Sequence, residues 1–237
     1  MKTVILMLVL PLVALAGLDA VFLVGDFYQY WSEVVEYVRD DPRFDDVYFI
    51  HIMDFTPSLE LMRNFDALFI GGTHTEEPDE FGDNLADYVD GGGCVVCISE
   101  MLFYDPGSWW GIGGRWAADE YAPYGPIPGE FIVYDYQDLN ILEPEHPIFE
   151  GVSHLSDVYS HFPLELRPGA NEIADFPLYP GIAINAGNTV VGLDYVCNDP
   201  RGWTGDGFLI LANAACYLAA HSDVRETSWG QIKAEFE

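Results

Sequence analysis

Compact apolar runs alternate with segments of helical periodicity over the first hundred residues. The runs that predict buried strands are AVFLVG (20–25), VYFIHIMD (47–54), DALFIGG (66–72) and GCVVCISE (93–100). Apolar residues at helical spacing mark three intervening helices, around Val34, Leu61 and Leu85. Strands that alternate with helices predict a parallel sheet covered on both faces. We therefore predict an α/β fold, flavodoxin-like and doubly wound, with a mainly parallel sheet.

The pattern is less regular in the second half of the chain. Residues 103–128 are rich in Gly, Pro and aromatic residues and predict a long ordered loop over the sheet. Asp206 is placed to cap a C-terminal apolar helix, which must be buried against the sheet. Residues 17–222 are predicted to form one domain, followed by a polar tail at 223–237. Further predicted strands are FIVYD (131–135), NEIADF (171–176), GIAINA (181–186) and TVVGLDY (189–195), the last two joined as a hairpin at Gly187-Asn188.

The first sixteen residues, MKTVILMLVLPLVALA, have the form of a secretory signal peptide. Lys2 precedes an unbroken apolar run, and Ala14-Leu15-Ala16 is a small-x-small cleavage site. The run is too short for a comfortable membrane span and contains Pro11. We therefore expect cleavage after Ala16, a secreted or periplasmic protein, and no membrane span in the mature chain.

The mature chain is strongly acidic. Without the leader it has 8 basic and 39 acidic residues, a formal charge of −31. Such a field repels nucleic acid, which we exclude as a partner, and it suits either cation binding or a saline habitat. Four cysteines, Cys94, Cys97, Cys197 and Cys216, allow disulfides in an exported protein, but the sequence does not select a pairing.

Cys94 and Cys97 form a C-x-x-C pattern inside the fourth predicted strand. Residues three apart in a strand face opposite sides of the sheet, so the two thiols cannot converge on one metal or readily bridge each other. A redox C-x-x-C also lies at a helix N-terminus, which is not the case here. We expect both to be buried apolar thiols.

Several segments resemble the class I glutamine amidotransferase-like superfamily, and most closely its ThuA-like and trimerisation-domain-like members. They are DALFIGG (66–72), NLADYVDGGGCVV (84–96), HPIFEGV (146–152) and NAACYLA (213–219). The resemblance implies a catalytic Cys at the sharp turn after the fourth strand and a His before the last helix. Here that turn reads Ser99-Glu100-Met101-Leu102, Cys97 lies earlier inside the strand, and NDPRGWTGDG (198–207) contains no His. The catalytic Cys and His of the family are therefore predicted to be absent.

Polar residues follow three of the predicted strands. Ligands of open parallel sheets bind beyond the carboxyl ends of the strands, and a flavodoxin-like order makes the first, third and fourth strands neighbours. The residues expected to face one crevice, with Arg115 in the loop that would cover it, are Asp26, Thr73, His74 and Glu100. Glu100 and His74 could serve as acid, base or metal ligands there, or they could simply cap helices and face water.

The acidic segment from Thr75 to Glu80 supplies oxygen ligands of the type that Ca²⁺ prefers. Glu76, Glu77 and Asp79 are the candidate ligands, but their spacing is not that of a known calcium loop. A solvated run of charges is the alternative, and no cofactor other than this possible Ca²⁺ is predicted.

These observations favour an exported, non-catalytic amidotransferase-like domain with a binding or assembly role, in effect a pseudoenzyme. Its partner would be a protein or a carbohydrate, and a purely structural subunit of a larger assembly is a further possibility. The alternative is a hydrolase acting on a carbohydrate or an amide through Glu100 and His74.

Overall fold

The computed structural model describes residues 17–72, 74–102, 111–127, 136–157, 163–195, 197–198 and 202–222. The helices are α1 (Tyr28–Arg39), α2 (Leu59–Met62), α3 (Pro78–Asp90), α4 (Gly114–Ala118) and α5 (Gly207–His221), with 3-10 turns at Ser99–Leu102 and Pro147–Phe149. The strands are β1 (Leu18–Gly25), β2 (Phe44–His51), β3 (Ala67–Gly72), β4 (Cys94–Ile98), β5 (Tyr124–Pro126), β6 (Gln137–Asp138), β7 (Asn140–Ile141), β8 (Leu155–Asp157), β9 (Leu164–Leu166), β10 (Asn171–Phe176), β11 (Tyr179–Ile184), β12 (Val190–Leu193) and β13 (Trp203–Gly205). The predicted leader and tail lie outside these residues.

Eight of these strands form one mixed sheet in the order β2-β1-β3-β4-β12-β11-β10-β7. β1 pairs in parallel with β2 and β3, β4 pairs in parallel with β3, and β12 continues the parallel part beside β4. The predicted hairpin is confirmed, because β11 and β12 are antiparallel, and β10 and β7 extend the sheet in the same antiparallel way. The architecture confirms the flavodoxin-like α/β prediction.

Two hydrophobic clusters cover opposite faces of the sheet, as a doubly wound fold requires. One face packs against α1 and α5, and includes the buried α1 residues that the sequence predicts. The other face packs against α2 and α3, with Trp116 and Tyr124 added from the second half of the chain. Cys94 belongs to the first cluster and Cys97 to the second, which confirms that the two thiols point to opposite sides.

The predicted loop at 103–128 contains regular structure where it is described. α4 packs along α3, and β5 pairs antiparallel with β9. Gly192 of β12 leaves the space in which this segment packs, because a Cβ there would lie 2.8 Å from Pro123 and 3.2 Å from Leu102. The segment thus covers one face of the sheet. The predicted strand at 131–135 lies outside the described residues.

Asn213, a buried residue of α5, joins two of the segments that carry the family resemblance. Its amide nitrogen donates to the carbonyls of Ile148 at 3.0 Å and Glu150 at 2.9 Å, and its oxygen accepts from Arg43 at 2.7 Å. The hydrogen bonds of this one side chain therefore hold the segment HPIFEGV against the segment NAACYLA.

Asp206 has a different role from the predicted helix cap. It occupies the N-cap position of α5, but its side chain makes no capping hydrogen bond there. Its Oδ2 instead accepts from the backbone and hydroxyl of Ser153, at 2.7 and 2.6 Å, and from the backbone of His154. These bonds hold the pKa of the Asp206 carboxyl below its ordinary value.

Candidate functional site at the carboxyl edge of the sheet

Two glycines bring the ends of β1 and β3 into direct backbone contact. A Cβ on Gly25 would lie 1.8 Å from the His74 carbonyl oxygen, and one on Gly72 would lie 2.8 Å from the Gly25 carbonyl carbon. Gly72 also has a φ of 86°, in the left-handed region that glycine tolerates best. The backbone nitrogen of His74 donates to the Gly25 carbonyl at 3.3 Å. The segment after β3 is thereby turned over the end of β1.

The backbone bends at Ser99, directly after β4. Ser99 has a φ of 41° although it is not a glycine, and its side chain is fully buried. A left-handed conformation costs an L-residue on the order of 1–2 kcal/mol. The sequence predicts a turn at Ser99-Glu100-Met101-Leu102, and the structure has a 3-10 turn over the same residues. Strain of this kind persists where the surrounding structure enforces it, which is common at functional sites.

Asp194 lies beside Ser99 on the neighbouring strand. Leu193 of β12 pairs with Ile98 of β4, so the register continued by one residue places Asp194 next to Ser99. Asp194 is fully buried, and its backbone nitrogen donates to the Gly181 carbonyl at 2.8 Å. The backbones of Ser99 and Asp194 thus adjoin at the centre of the edge.

Four polar side-chain atoms near this edge are buried without a hydrogen-bond partner among the described residues. They are His51 Nε2, Thr56 Oγ1, Thr75 Oγ1 and Ser99 Oγ. His51 is the last residue of β2, and the other three belong to the segments that leave β2, β3 and β4. Buried polar groups are normally hydrogen-bonded, so each such group calls for a partner such as a ligand or solvent. Their concentration makes the carboxyl edge the candidate binding site.

A polar pair lies on the face of the sheet that α2 and α3 cover. The Tyr124 hydroxyl donates to Glu172 Oε1 at 3.0 Å. Burial, followed by the charge of Glu172, raises the pKa of Tyr124 far above its ordinary value, and Asp194 contributes in the same direction. Burial also raises the pKa of Glu172. The acidic side chains of Glu172 and Asp194 therefore lie near the buried Tyr124 hydroxyl.

The described thiols lie inside the protein. Cys94, Cys97 and Cys197 are buried, Cys216 is partly buried, and none of the four is in a disulfide. Burial raises the pKa of the Cys97 thiol well above its ordinary value, which opposes formation of the nucleophilic thiolate. Cys97 lies two residues before the bend, and Ser99 occupies the bend itself.

The structure brings together the backbones of some predicted site residues. Asp26 and His74 follow adjacent strands at the same edge, and the Asp26 carboxylate accepts from the backbone of Phe27 at 2.7 Å. Glu100 lies in the 3-10 turn after β4, beside β3, but its side chain lies outside the described atoms. Thr73 is outside the described residues. The juxtaposition of the Glu100 and His74 side chains therefore stays a prediction.

Arg115, which was expected in the loop that would cover the crevice, forms its ion pairs with α3. Its guanidinium pairs with Asp87 and, at 2.6 Å, with Asp90, near the C-terminal end of α3. Asp79 and Asp83 accept from the backbone nitrogens of Gly114 and Arg115 at 2.9 and 2.8 Å. The acidic stripe of α3 thus holds the start of α4.

The segment proposed for calcium is partly helical. Glu77 is at the N-cap of α3, and Asp79 is in the first helical turn, where its carboxylate accepts from Gly114. In the described ranges, no group of three or more His, Cys, Asp or Glu side chains is arranged to hold a metal ion.

The sequence interpretation missed Ser99, Asp194, Thr75 and His51 as site residues. Asp194 directly follows an apolar run and could have been found by the strand-end argument, had that run been placed beside β4. The positive φ of Ser99 has no signal in the sequence, because non-glycine residues at such positions are uncommon.

Comparison with known proteins supports the fold. Neither protein-family models nor curated proteins match the sequence. Among solved structures, a ThuA-like protein from Bacteroides uniformis has a TM-score of 0.66 at 11% identity, covering 88% of this chain and 94% of that one. A ThuA-like protein from Parabacteroides merdae has a TM-score of 0.62 at 12% identity, with coverages of 87% and 92%. These similarities confirm the flavodoxin-like α/β fold, which this chain shares with ThuA-like proteins.

The same architecture is found within a longer enzyme. The β-galactosidase from Rahnella sp. R3 has a TM-score of 0.52 at 13% identity, over 84% of this chain but only 30% of that protein. Identities this low show the fold alone. Among the helices of the described ranges, none combines the length and apolar character that crossing a bilayer requires.

Proposed function

We propose that this protein is an exported, non-catalytic binding domain that holds a carbohydrate at the carboxyl edge of its parallel sheet. The observation that carries the proposal is the set of buried hydroxyl and imidazole groups at that edge that have no hydrogen-bond partner among the described residues. Hydroxyl-rich ligands satisfy such uncharged donors and acceptors. The buried position of the Cys97 thiol supports a role other than thiol-dependent amide transfer.

Exposed aromatic side chains beside the edge favour a sugar over other polar ligands. Phe27 is 58% exposed, directly follows Asp26, and stacks on the His51 ring at 6.2 Å. Phe55, in the loop after β2, is 45% exposed. Aromatic faces combine large apolar area with defined geometry, which suits stacking on a sugar ring while nearby polar groups bind its hydroxyls.

Calorimetry with a panel of neutral oligosaccharides tests the binding role. We expect Thr75→Val and Phe27→Ala each to weaken binding of the sugar that binds best by about tenfold, the loss of roughly 1.4 kcal/mol. Tyr37→Ala is the matched control, since Tyr37 is an exposed aromatic residue of α1 about 15 Å further along the helix. Equal losses in all three variants, or no binding by any sugar, would contradict the proposal.

A glutaminase assay tests the absence of amide transfer. The mature protein should release no ammonia from glutamine above background. Turnover that disappears in Cys97→Ser would contradict this expectation directly. Export is tested by expressing the full chain and sequencing the N-terminus of the secreted product, which should begin at Gly17.

A hydrolase that uses Glu100 and His74 is the second candidate. It is favoured by the strained bend at Ser99, by the adjacency of the turn containing Glu100 to β3, and by the occurrence of the fold in a β-galactosidase. Chromogenic glycosides and amides provide the assay. Activity that is lost in both Glu100→Gln and His74→Ala would establish this function, and no turnover of any substrate would eliminate it.

A further inference from the structure

A cavity of about 210 Å³ lies at the opposite edge of the sheet from the candidate site. It is formed by the segment after α4, by the turn after β9, and by the β11–β12 turn. The β11–β12 turn precedes β12, which runs parallel to β4, so the cavity is at the amino edge of the parallel strands. The two edges are separate surfaces.

Arg167 supplies a half-buried guanidinium to this cavity. Arg39, Arg43 and Arg115 each pair with a carboxylate, but Arg167 has no ion-pair partner within 4.0 Å among the described residues. Its described side-chain hydrogen bond is a long one, 3.5 Å, to the carbonyl of Ala117. Burial lowers the pKa of Arg167, although Glu120 and Glu165 partly oppose this. Within the described ranges, Arg167 therefore lacks the ion pairing that usually accompanies burial of a charge.

The cavity wall combines an apolar side with acidic residues, and this combination limits the kind of ligand that fits. Its apolar side is made by Ala122, Pro123, Pro168 and Ala170. Glu120 lies at the cavity with a φ of 60°, a second non-glycine residue in the left-handed region. Asp119 also lines the cavity, and its carboxylate is 3.5 Å from Arg115 Nε.

We propose that this amino-edge cavity binds a small organic monocarboxylate, whose carboxylate pairs with the Arg167 guanidinium. The fork of a guanidinium matches both oxygens of a carboxylate. A single negative charge fits best, because Glu120 and Asp119 would repel a dianion. The apolar wall accommodates a short hydrocarbon body, and the volume is below the roughly 300–1,000 Å³ of sites for drug-sized ligands.

Calorimetry with benzoate tests the proposal, with benzamide as a neutral molecule of nearly the same shape. We expect benzoate to bind and benzamide to bind at least about tenfold more weakly. Arg167→Met should reduce benzoate affinity at least about tenfold, and Arg167→Lys should reduce it less, because lysine keeps the charge without the fork. Arg63→Met, which removes an exposed arginine, is the matched control and should bind benzoate like the parent.

Unfolding without ligand separates binding from a structural role. A guanidinium without a counter-ion adds little stability when half-buried, so Arg167→Met should unfold at the same urea concentration as the parent or higher. A marked loss of stability in Arg167→Met would identify Arg167 as a structural anchor to Ala117 and overturn the proposal. Equal binding of benzoate and benzamide, undiminished binding by Arg167→Met, or no benzoate binding in the parent would overturn it as well.

Discussion

Asn213 gives the sharpest test of how the two family-like segments stabilise the fold. The side chain is 3% exposed and makes three hydrogen bonds, two to backbone carbonyls at 148 and 150 and one from Arg43. Asn213→Ala removes all three and leaves the carbonyl of the buried Ile148 without this donor, while the second carbonyl belongs to the exposed residue Glu150. At about 1 kcal/mol net for each bond, the expected loss of unfolding free energy is about 3 kcal/mol. That is a large fraction of the roughly 5–15 kcal/mol of a typical domain.

Urea and thermal unfolding, followed by tryptophan fluorescence, measure this loss. For a chain of this size, about 3 kcal/mol corresponds to a fall in Tm of about 6–12 °C. Asn64→Ala is the matched control. The Asn64 amide also donates to two carbonyls, of Glu60 and Leu61 at 2.9 and 3.1 Å, but this residue is exposed, so water replaces the bonds. We expect the control to change stability by no more than about 0.5 kcal/mol.

Asn213→Asp separates hydrogen bonding from packing. Aspartate has nearly the same shape and still accepts from Arg43, but it presents oxygen to both carbonyls. It should therefore be destabilised at neutral pH although no cavity is made. The reasoning is refuted if Asn213→Ala costs no more than Asn64→Ala, or if Asn213→Asp is as stable as the parent.

Three further predictions concern the core and the carboxyl edge. Ser99→Gly should raise the unfolding free energy by about 1 kcal/mol, because glycine tolerates the φ of 41°; a fall in the urea midpoint would show that the bend is not strained. Gly71→Ala should cost up to about 3 kcal/mol by overpacking, since its Cβ would lie 1.9 Å from Trp31 Cη2, and an unchanged thermal midpoint would contradict this contact. Burial raises the Glu172 pKa above its ordinary value of 4.5, so ionisation of Glu172 lowers the free energy of unfolding at pH values above that raised pKa. This loss disappears as the pH falls through the raised pKa. Glu172→Gln should therefore be more stable than the parent at pH 7 but equal to it near pH 4; a gain that persists at pH 4 would point to a cause other than ionisation.

The parallel half of the fold could be predicted because buried strands leave a strong sequence signal. β1, β3 and β4 are near-continuous apolar runs, and α1 and α3 have the predicted buried faces. The helix predicted around Leu61 is short, Leu59–Met62, because the Asn64 amide takes the carbonyls that a longer helix would use. Elements of two or three residues, such as β5 to β9, are too short for any periodicity to mark.

Only those parts of the candidate site that follow from the order of the strands could be predicted. The carboxyl edge and the residues Asp26 and His74 follow from the alternation of strands and helices. The ion pairs of Arg115 with Asp87 and Asp90 could not be predicted, because the sequence does not show that α4 packs on the acidic stripe of α3. Ser99 and Asp194 depend on a backbone dihedral angle and on the register between β4 and β12, both of which are set by tertiary packing.

The buried polar groups at the carboxyl edge are not a sign of loose packing throughout the protein. The same chain satisfies every polar atom of the Asn213 amide group with short hydrogen bonds, and it pairs the buried Tyr195 hydroxyl with the Gly207 carbonyl at 2.6 Å. Trp31 and Trp203 also bury a nitrogen without a described partner, but each is one donor on a large apolar ring whose burial offsets the cost. Gln137 Nε2, on β6, is a further buried nitrogen of this kind away from the edge, although the oxygen of the same amide accepts from Leu178. Hydroxyl and imidazole groups lack that compensation. Their occurrence at the ends of three strands, next to a strained bend, therefore favours a surface selected for binding over one selected for stability.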